Sequence, residues 1–251
     1  MKTQRVSIMT SGGLDSYIAY YYELSLGFIP LPIFVNLGQP YYEKELEAIK
    51  RFKYFDTIRF VDAVIMKKEW GNTPTVNNWI IPARNLFLVT IGAMYSGRVW
   101  LQALDGETHK FARERDKTPE FFHLSSGLLT YVCDIERPET IVETPFGELT
   151  KTEVVEWALS NGISEGELLL TTSCYHESER NCGQCGTCFK RWIAMINNGI
   201  GEEYGVEPWT NEYARNSIKA TQKAMSEGDY SHYSKKRCEE TMAALSKVGL
   251  A

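Results

Sequence analysis

The sequence predicts an α/β protein with a doubly wound, parallel, five-stranded sheet, and three observations support this fold class. Short apolar segments of strand length alternate with longer segments of helical periodicity over about the first 160 residues. A glycine-rich turn directly follows the first apolar segment. Two helical segments end at Gly27 and Gly162. Because strands that alternate with helices pair in parallel, the pattern indicates a Rossmann-like sheet covered by helices.

The elements of this sheet are predicted in order along the chain. The apolar segments predicted as strands are 6–10, 32–37, 57–64, 99–104 and 141–144. The segments predicted as helices are 15–27, 42–52, 82–96, 120–134 and 151–161. The helix at 82–96 is mostly apolar, so we expect it to be buried. A loop, Asn36-Leu37-Gly38-Gln39, is predicted at the end of the second strand.

The character of the sequence changes after residue 170. Residues 173–191 form a segment rich in cysteine, glycine and polar residues, which we interpret as a loop. Residues 210–248 are charged and helix-prone, with an interruption at Gly228-Asp229. We therefore predict an α/β domain at 1–170, followed at 171–251 by a metal-binding loop and a helical C-terminal region.

Composition narrows the class of protein. The chain has 251 residues, of which 43% are hydrophobic and 24% charged, as in soluble globular enzymes. Its net charge is -5, and its longest basic run is Lys235-Lys236-Arg237, so no nucleic-acid partner is indicated. The sequence has neither a leader-like start nor an apolar run long enough to span a membrane. Because four of its six cysteines are clustered, it does not resemble a secreted disulfide framework, and we expect a cytoplasmic protein.

The glycine-rich turn is the first candidate site. Glycines let the backbone approach an anion closely, and the helix that follows offers unpaired N–H groups. The serine hydroxyls can donate to a phosphate, and the aspartate can orient a metal ion. The alternative is an ordinary turn in which serine and aspartate cap a helix. The candidate phosphate-binding residues are Ser11, Gly12, Gly13, Leu14, Asp15 and Ser16.

The cysteine cluster is the second candidate site. Its last three members read Cys-Gly-Gln-Cys-Gly-Thr-Cys, and two-residue gaps let thiolates converge on one ion. Four thiolates match a closed tetrahedral Zn²⁺ site, although such a set also permits an iron–sulfur cluster. We favour structural zinc. The candidate ligands are Cys174, Cys182, Cys185 and Cys188; His176, Cys133 and Cys238 are interpreted as bystanders.

Three further residues have side chains suited to binding a phosphate or a carboxylate. Arg84 and Asn85 follow a proline at a predicted helix start, where they can reach a phosphate or a carboxylate. Lys151 opens a helix just after a strand, at the edge of the sheet where ligands collect. It can neutralise charge that develops on a phosphate. The alternatives are a capping and ion-pair role for Arg84 and Asn85, and a solvated lysine at 151.

Segments 11–16, 81–86, 144–153 and 172–191 together resemble the 7-cyano-7-deazaguanine synthase (QueC) family, in the superfamily of N-type ATP pyrophosphatases. They contain Ser-Gly-Gly-Leu-Asp-Ser, Pro-Ala-Arg-Asn, Thr-Pro followed by Lys-Thr-Glu, and Ser-Cys followed by the cysteine cluster and Arg191. The order and spacing of the segments match the family over roughly residues 5–195. The first motif is shared with many ligases, whereas the combination is more specific.

The resemblance implies an ATP-dependent carbon–nitrogen ligase. A ring carboxylate of 7-carboxy-7-deazaguanine would attack ATP, ammonia would displace AMP, and a second adenylation would leave a nitrile. The residues at 11–16 would hold the departing pyrophosphate with Mg²⁺, with Asn85 also binding ATP. Asp15, Arg84 and Lys151 would be catalytic, and zinc would be structural. A homodimer is compatible with this assignment.

The segment after the fourth predicted strand departs from the family pattern. Asp105, Asp116 and Phe121 align with substrate-binding positions, whereas the family's Gly-Tyr pair and a cysteine are absent. We predict that this segment, 105–121, binds the substrate ring. The departure leaves alternatives open: another adenylating ligase, a tRNA sulfur-transfer enzyme, or an enzyme of deazapurine conjugation or DNA modification. A catalytically inactive ATP-binding module is a further alternative.

Overall fold

The computed structural model contains two compact units. The first comprises Met1–Gln102 and Glu114–Pro145, and the second comprises Ala103–Arg113 and Phe146–Ala251. The predicted domain boundary at residue 170 stays a prediction. The structure describes residues 4–39, 41–64, 83–108, 115–133, 139–174, 176 and 181–250.

The first unit contains the parallel five-stranded sheet, which confirms the predicted fold class. Its strands are β1 (Arg5–Thr10), β2 (Ile29–Asn36), β3 (Arg59–Asp62), β4 (Arg98–Trp100) and β5 (Ile141–Glu143). Their order across the sheet is β3-β2-β1-β4-β5. The central strand β1 is buried from Val6 to Thr10, as expected where helices cover both faces of a parallel sheet.

In the described part of the chain, the helices between these strands are α1 (Leu14–Ser25), α2 (Tyr42–Ile49), α3 (Arg84–Tyr95) and α4 (Pro119–Cys133). Because parallel strands are joined by right-handed crossovers, this strand order implies that α1 and α2 lie on one face of the sheet and α3 and α4 on the other. Short 3₁₀ turns lie at Phe55–Thr57 and Arg115–Lys117. Pro82 and Asp134, at the ends of two predicted helices, lie outside the described residues.

Helix α3 is less buried than predicted. Asn85, Val89, Gly92 and Ala93 are buried, but Met94 on the outer side is 71% exposed. The expectation of a buried helix is therefore wrong for this outer side. Apolar composition alone did not reveal which side of the helix packs on the sheet.

The second unit is helical. It contains α5 (Lys151–Ser160), α6 (Glu165–Leu169), α7 (Gly186–Asn197), α8 (Glu212–Glu227) and α9 (Lys235–Lys247). Side chains of α7, α8 and α9 form a separate apolar core that includes Phe189, Trp192, Ala214 and Leu245. No helix in the described part of the chain is both long and apolar enough to cross a membrane.

The predicted loop at 173–191 is wrong from Gly186 onward, because α7 begins there with Cys185 as its N-cap. The apolar residues Phe189, Trp192, Ile193 and Ile196 recur at helical spacing and pack into the core. Cysteine and glycine in the preceding segment obscured that signal. The short helix α6 was also not predicted, although Ser164 and Glu167 form a capping box at its start.

Candidate active site and metal centre

The turn between β1 and α1 is held by its own serines. The Ser16 hydroxyl donates to the Ser11 carbonyl oxygen at 2.7 Å and accepts from the Ser11 N–H at 3.1 Å. The Ser11 hydroxyl oxygen accepts from the Gly13 N–H at 3.1 Å. Ser16 is 2% exposed, so this hydroxyl fixes the turn from inside.

The start of α1 lacks a side-chain cap. Its N-cap residue is Gly13, which makes no side-chain capping hydrogen bond to the helix, so the alternative of a serine or aspartate cap is not observed. The N–H groups of the first helical turn and the positive end of the helix dipole suit an anion. Asp15 lies in this first turn.

Gly12 brings the turn against α2. A Cβ atom at Gly12 would lie 2.9 Å from both the Ala48 Cβ atom and the Glu45 carbonyl oxygen. Real Cβ atoms essentially never approach backbone this closely, so a larger residue would push α2 away. The glycine is therefore required for packing, in addition to the approach to an anion that the sequence suggested.

A polar group surrounds Glu45 in the same unit. The Gln39 amide donates to the Glu45 carboxylate at 3.3 Å, and the Arg84 guanidinium donates to the Tyr41 hydroxyl at 2.7 Å. Burial raises the pKa of Glu45 to about 7, while the Gln39 hydrogen bond and the positive charge of Arg84 act to lower it. Glu45 therefore titrates near neutral pH.

Sequence analysis missed Glu45. It lies on a charged amphipathic helix, where an acidic residue is ordinarily solvated. Gln39 was assigned only to a loop, and the structure confirms that loop: its side chain oxygen accepts from the Leu37 N–H at 2.8 Å. The local pattern contained no signal that this loop would meet Glu45.

Asn85 supports the segment that contains Asp116. It is 2% exposed, and its amide donates to the Asp116 carbonyl oxygen at 3.2 Å. Phe121 lies in the first turn and a half of α4, where its ring contacts that of Phe122 edge-on at 5.6 Å between centroids. Residues 109–114 of the predicted substrate segment lie outside the described residues.

The cysteine cluster belongs to the second unit. The sulfur atoms of its four members lie within 4.8 Å of one another, so the group can hold a metal ion. The Cys185 and Cys188 sulfurs are 3.4 Å apart, and the Cys182 and Cys188 sulfurs 3.9 Å. Tetrahedral Zn²⁺ with Zn–S bonds of about 2.3 Å would place sulfurs about 3.8 Å apart. The donor set and its spacing fit zinc.

Backbone groups converge on the same sulfurs. The N–H groups of His176 and Cys182 point at the Cys174 sulfur, at 3.4 and 3.5 Å, and that of Gln184 points at the Cys182 sulfur at 3.2 Å. Hydrogen bonds from the neighbouring thiols lower the pKa of Cys174, and the hydrogen bond to Cys174 raises the pKa of Cys188. The site thus favours thiolate at Cys174, as metal ligation requires.

A buried ion pair anchors the cluster. Arg191 is fully buried and donates to both Glu202 carboxylate oxygens at 2.9 and 2.8 Å, to the Thr171 hydroxyl at 2.6 Å, and to the Leu168 carbonyl oxygen at 3.1 Å. The Tyr204 hydroxyl also donates to Glu202. These contacts join α7, which carries Cys188, to the segments before and after it.

Asp105 and Lys151 border a small cavity in the second unit, together with Arg237 and Glu240 of α9. Lys151 is the first residue of α5, as predicted, after a capping box formed by Thr150 and Glu153. The Asp105 carboxylate accepts a hydrogen bond from the Ser234 hydroxyl. Sequence analysis identified neither Arg237 nor Glu240.

Comparison with known proteins finds a family model that matches more than half of the chain. It is described as "Queuosine biosynthesis protein QueC" and covers residues 59–199.

Curated relatives are similar over most of this chain. A 7-cyano-7-deazaguanine synthase from Caldicellulosiruptor bescii is 28% identical over 225 residues, which is 81% of this chain and 98% of that protein. One from Archaeoglobus fulgidus is 26% identical, over 81% of this chain and 91% of that protein. 7-Cyano-7-deazaguanine synthase 2 from Sulfurisphaera tokodaii is 25% identical over 80% of this chain, which spans about half (47%) of its length.

Proposed function

The chain belongs to the QueC family, and on that basis we propose that it is an ATP-dependent ligase that converts 7-carboxy-7-deazaguanine and ammonia into 7-cyano-7-deazaguanine. The matched segment carries the proposal, because it includes Arg84, Asn85, Lys151 and the four cysteines. The names of the relatives point to the same product. The resemblance expected from the sequence is thereby confirmed at the level of the family.

The turn after β1 supports a role in ATP binding. We assign the pyrophosphate of ATP to the uncapped start of α1, where N–H groups and the helix dipole attract it. Ser11 and Ser16 keep the turn in shape. Asp15 would bind Mg²⁺, which prefers carboxylate and phosphate oxygens and would offset the charge of the leaving pyrophosphate.

Arg84 and Lys151 are assigned to charge stabilisation. Each carries a fixed positive charge at the start of a helix, where it can face an oxyanion. The reaction needs no covalent enzyme intermediate, so the chain's contribution is to orient the reactants and to stabilise phosphate charge. Asn85 contributes by positioning the Asp116 backbone.

The cysteine cluster is assigned to structural zinc. A closed set of four sulfurs leaves no open position for a substrate, which separates it from catalytic zinc sites. Its thiolates favour a reducing compartment, in line with the cytoplasmic location that we propose.

We also propose that the chain forms a homodimer through the outer sides of α3 and α4. Exposed apolar residues there are Phe87, Met94, Leu124, Leu128, Tyr131 and Val132. No Asp, Glu, Lys or Arg occurs at 85–95 or 121–133, as in the core of an interface. Light scattering of the parent and of Tyr131→Glu tests this: the parent should be a dimer and the variant a monomer.

Mass spectrometry of the products tests the proposed reaction. The parent should consume 7-carboxy-7-deazaguanine, ammonia and ATP, and it should form the nitrile, AMP and pyrophosphate. Asp15→Ala and Ser16→Ala should abolish turnover. ADP and phosphate as the only nucleotide products would contradict the assignment.

A second candidate is another adenylating ligase of the same superfamily. It is favoured by the absence of the family's Gly-Tyr pair and cysteine in the segment after β4. In that case AMP would form with a different acceptor, and 7-carboxy-7-deazaguanine would not stimulate ATP cleavage.

A further inference from the structure

The C-terminal helix α9 lies against the residues that follow β4 and against the start of α5. The Ser234 hydroxyl donates to the Asp105 carboxylate, and the Thr150 hydroxyl donates to the Glu240 carboxylate. Lys236 adds an ion pair with Glu153 at 2.8 Å. These contacts lie within the second unit and fix the position of α9. The helix lies outside residues 59–199, the segment that matches the family.

These contacts enclose a small cavity. Its lining includes Asp105, Lys151, Arg237 and Glu240. Its volume is about 50 Å³, which holds a few water molecules or one small polar group. Pockets for whole drug-sized ligands have volumes of about 300 Å³ or more. The cavity therefore suits one end of a substrate, with the ring outside it.

Among the residues that line the cavity, Arg237 packs on an aromatic ring and on a glycine. Its guanidinium lies 5.1 Å from the centroid of the Tyr233 ring. It also packs on Gly106, where a Cβ atom would lie 3.0 Å from Nη1. Gly106 has a φ of +83°, so both its backbone and the approach of Arg237 favour glycine.

The Arg237 guanidinium has no acidic or carbonyl partner in the described parts of the chain. The carboxylates around the cavity already have partners: Asp105 with Ser234, Glu240 with Thr150, and Glu107 with Lys190. A half-buried arginine beside a cavity, with its forked donors unused, is suited to a planar oxyanion, which it can bind through two parallel hydrogen bonds.

We propose that Arg237 binds the carboxylate of the substrate in this cavity, which Lys151 also lines. The proposal rests on the proposed function and adds a substrate-recognition residue from the C-terminal helix. A carboxylate fits better than the other oxyanion of the reaction, a phosphate of ATP. Asp105 and Glu240 also line the cavity, and they would repel a multiply charged phosphate more strongly than a singly charged carboxylate.

The two halves of the reaction provide a sharp test. The first half starts from the anionic 7-carboxy-7-deazaguanine and the second from the neutral amide, 7-amido-7-deazaguanine. Arg237→Gln should lower kcat/KM about 10- to 100-fold with the carboxylate, the typical loss of a charge-assisted hydrogen-bonded pair. With the amide, the variant should stay within about twofold of the parent. Arg237→Lys should recover only part of the loss, because lysine keeps the charge but not the fork.

Lys235→Gln is the matched control. It removes the same charge from the same helix, but Lys235 is exposed and paired with Glu239 at 3.7 Å. It should leave both halves of the reaction unchanged. Thermal unfolding of all three variants checks that Arg237 does not act only by packing on Gly106.

The outcomes separate this inference from the proposed function. An active parent beside an equally active Arg237→Gln would overturn the inference alone, as would equal losses with carboxylate and amide. A raised KM for ATP with unchanged carboxylate binding would indicate that Arg237 binds a phosphate of ATP, and it would overturn the carboxylate assignment. A parent that makes no nitrile from either compound would overturn the proposed function, and the inference with it.

Discussion

The turn after β1 and the cysteine cluster differ in the sequence distance over which their parts interact. Hydrogen bonds inside the turn join residues two to five positions apart. The helix that carries Cys188 is held through Arg191, whose partners lie 11 to 23 positions away. The turn is therefore specified by its own six residues and the helix beside it. The cluster can hold a metal ion, and the buried ion pair of Arg191 and Glu202 joins the segments around it.

Of the changes predicted here, removal of the metal from the cysteine cluster should lower stability most. Binding of structural Zn²⁺ contributes about 10 kcal/mol or more to the folding of small zinc domains at neutral pH. Chelation, or Cys174→Ser, should therefore lower the melting temperature strongly and unfold α7 and its neighbours, while the sheet of the first unit persists. Hydrogen exchange resolves the two units. Cys133→Ser, outside the cluster, is the control and should behave like the parent.

Elemental analysis of the purified chain belongs with that experiment. One zinc per chain is expected. Iron in place of zinc would contradict the zinc assignment, and a folded second unit with no metal would contradict the dependence on metal altogether.

Removal of the ion pair between Arg191 and Glu202 should have the next largest effect on stability. Arg191→Met leaves the Glu202 carboxylate buried without its main partner, which costs about 3–5 kcal/mol of unfolding free energy. Among the described residues, the exposed Arg215 donates only to the Thr210 carbonyl oxygen, so Arg215→Met should change stability by about 0.5 kcal/mol or less. Denaturant unfolding measures both. Similar small losses would show that the cluster does not rely on this pair.

The buried carboxylate of Glu23, in the first unit, contrasts with that of Glu202, which is paired with Arg191. Glu23 is fully buried, and neither of its oxygens has a hydrogen-bond partner in the described structure. Burial raises its pKa from 4.5 to about 8, while the charge of Arg98 acts to lower it. The unfolded chain therefore loses this proton at lower pH than the folded protein does.

The stability of the parent should accordingly fall as pH rises from about 4.5 to about 8, the window set by these two pKa values. Glu23→Gln mimics the protonated form and should flatten that part of the pH profile. Glu47→Gln, at an exposed position in the same unit, should keep the slope of the parent. Denaturant unfolding at a series of pH values checks this, and parallel slopes for all three proteins would show that Glu23 is not the titrating group.

The sequence predicted most of what depends on local pattern. The five strands described in the first unit were found because each overlaps a short, mostly apolar segment of the sequence, and the turn was found because its six residues are contiguous. The cysteine cluster was found from its spacing. Helix α7 was misread because the cysteines and glycines around its start obscured the helical spacing of its apolar residues.

Contacts between residues far apart along the chain could not be predicted from the sequence. Ser234 and Asp105 are 129 positions apart, and neither residue type signals the other. The environment of Glu45 likewise depends on the meeting of α2, the loop after β2 and the start of α3. Such groups are brought together by the packing of elements, so they become visible only in the fold.

Substitution of Gly12 should have the smallest effect on stability. It tests whether the six residues of the turn keep their shape without the support of α2. Gly12→Ala places a Cβ atom 2.9 Å from the Glu45 carbonyl oxygen, so α2 must shift at a cost of about 1–3 kcal/mol. The control is Gly127→Ala in α4, where nothing lies within 4 Å, and alanine there should stabilise the helix by up to about 1 kcal/mol. Because this clash also disturbs the turn to which the pyrophosphate is assigned, the Gly12 variant should bind ATP more weakly, whereas the Gly127 variant should bind it as the parent does. Calorimetric titration with ATP measures this difference. Normal ATP affinity in a destabilised Gly12→Ala would mean that the turn keeps its shape without α2, and that its six residues alone specify the site.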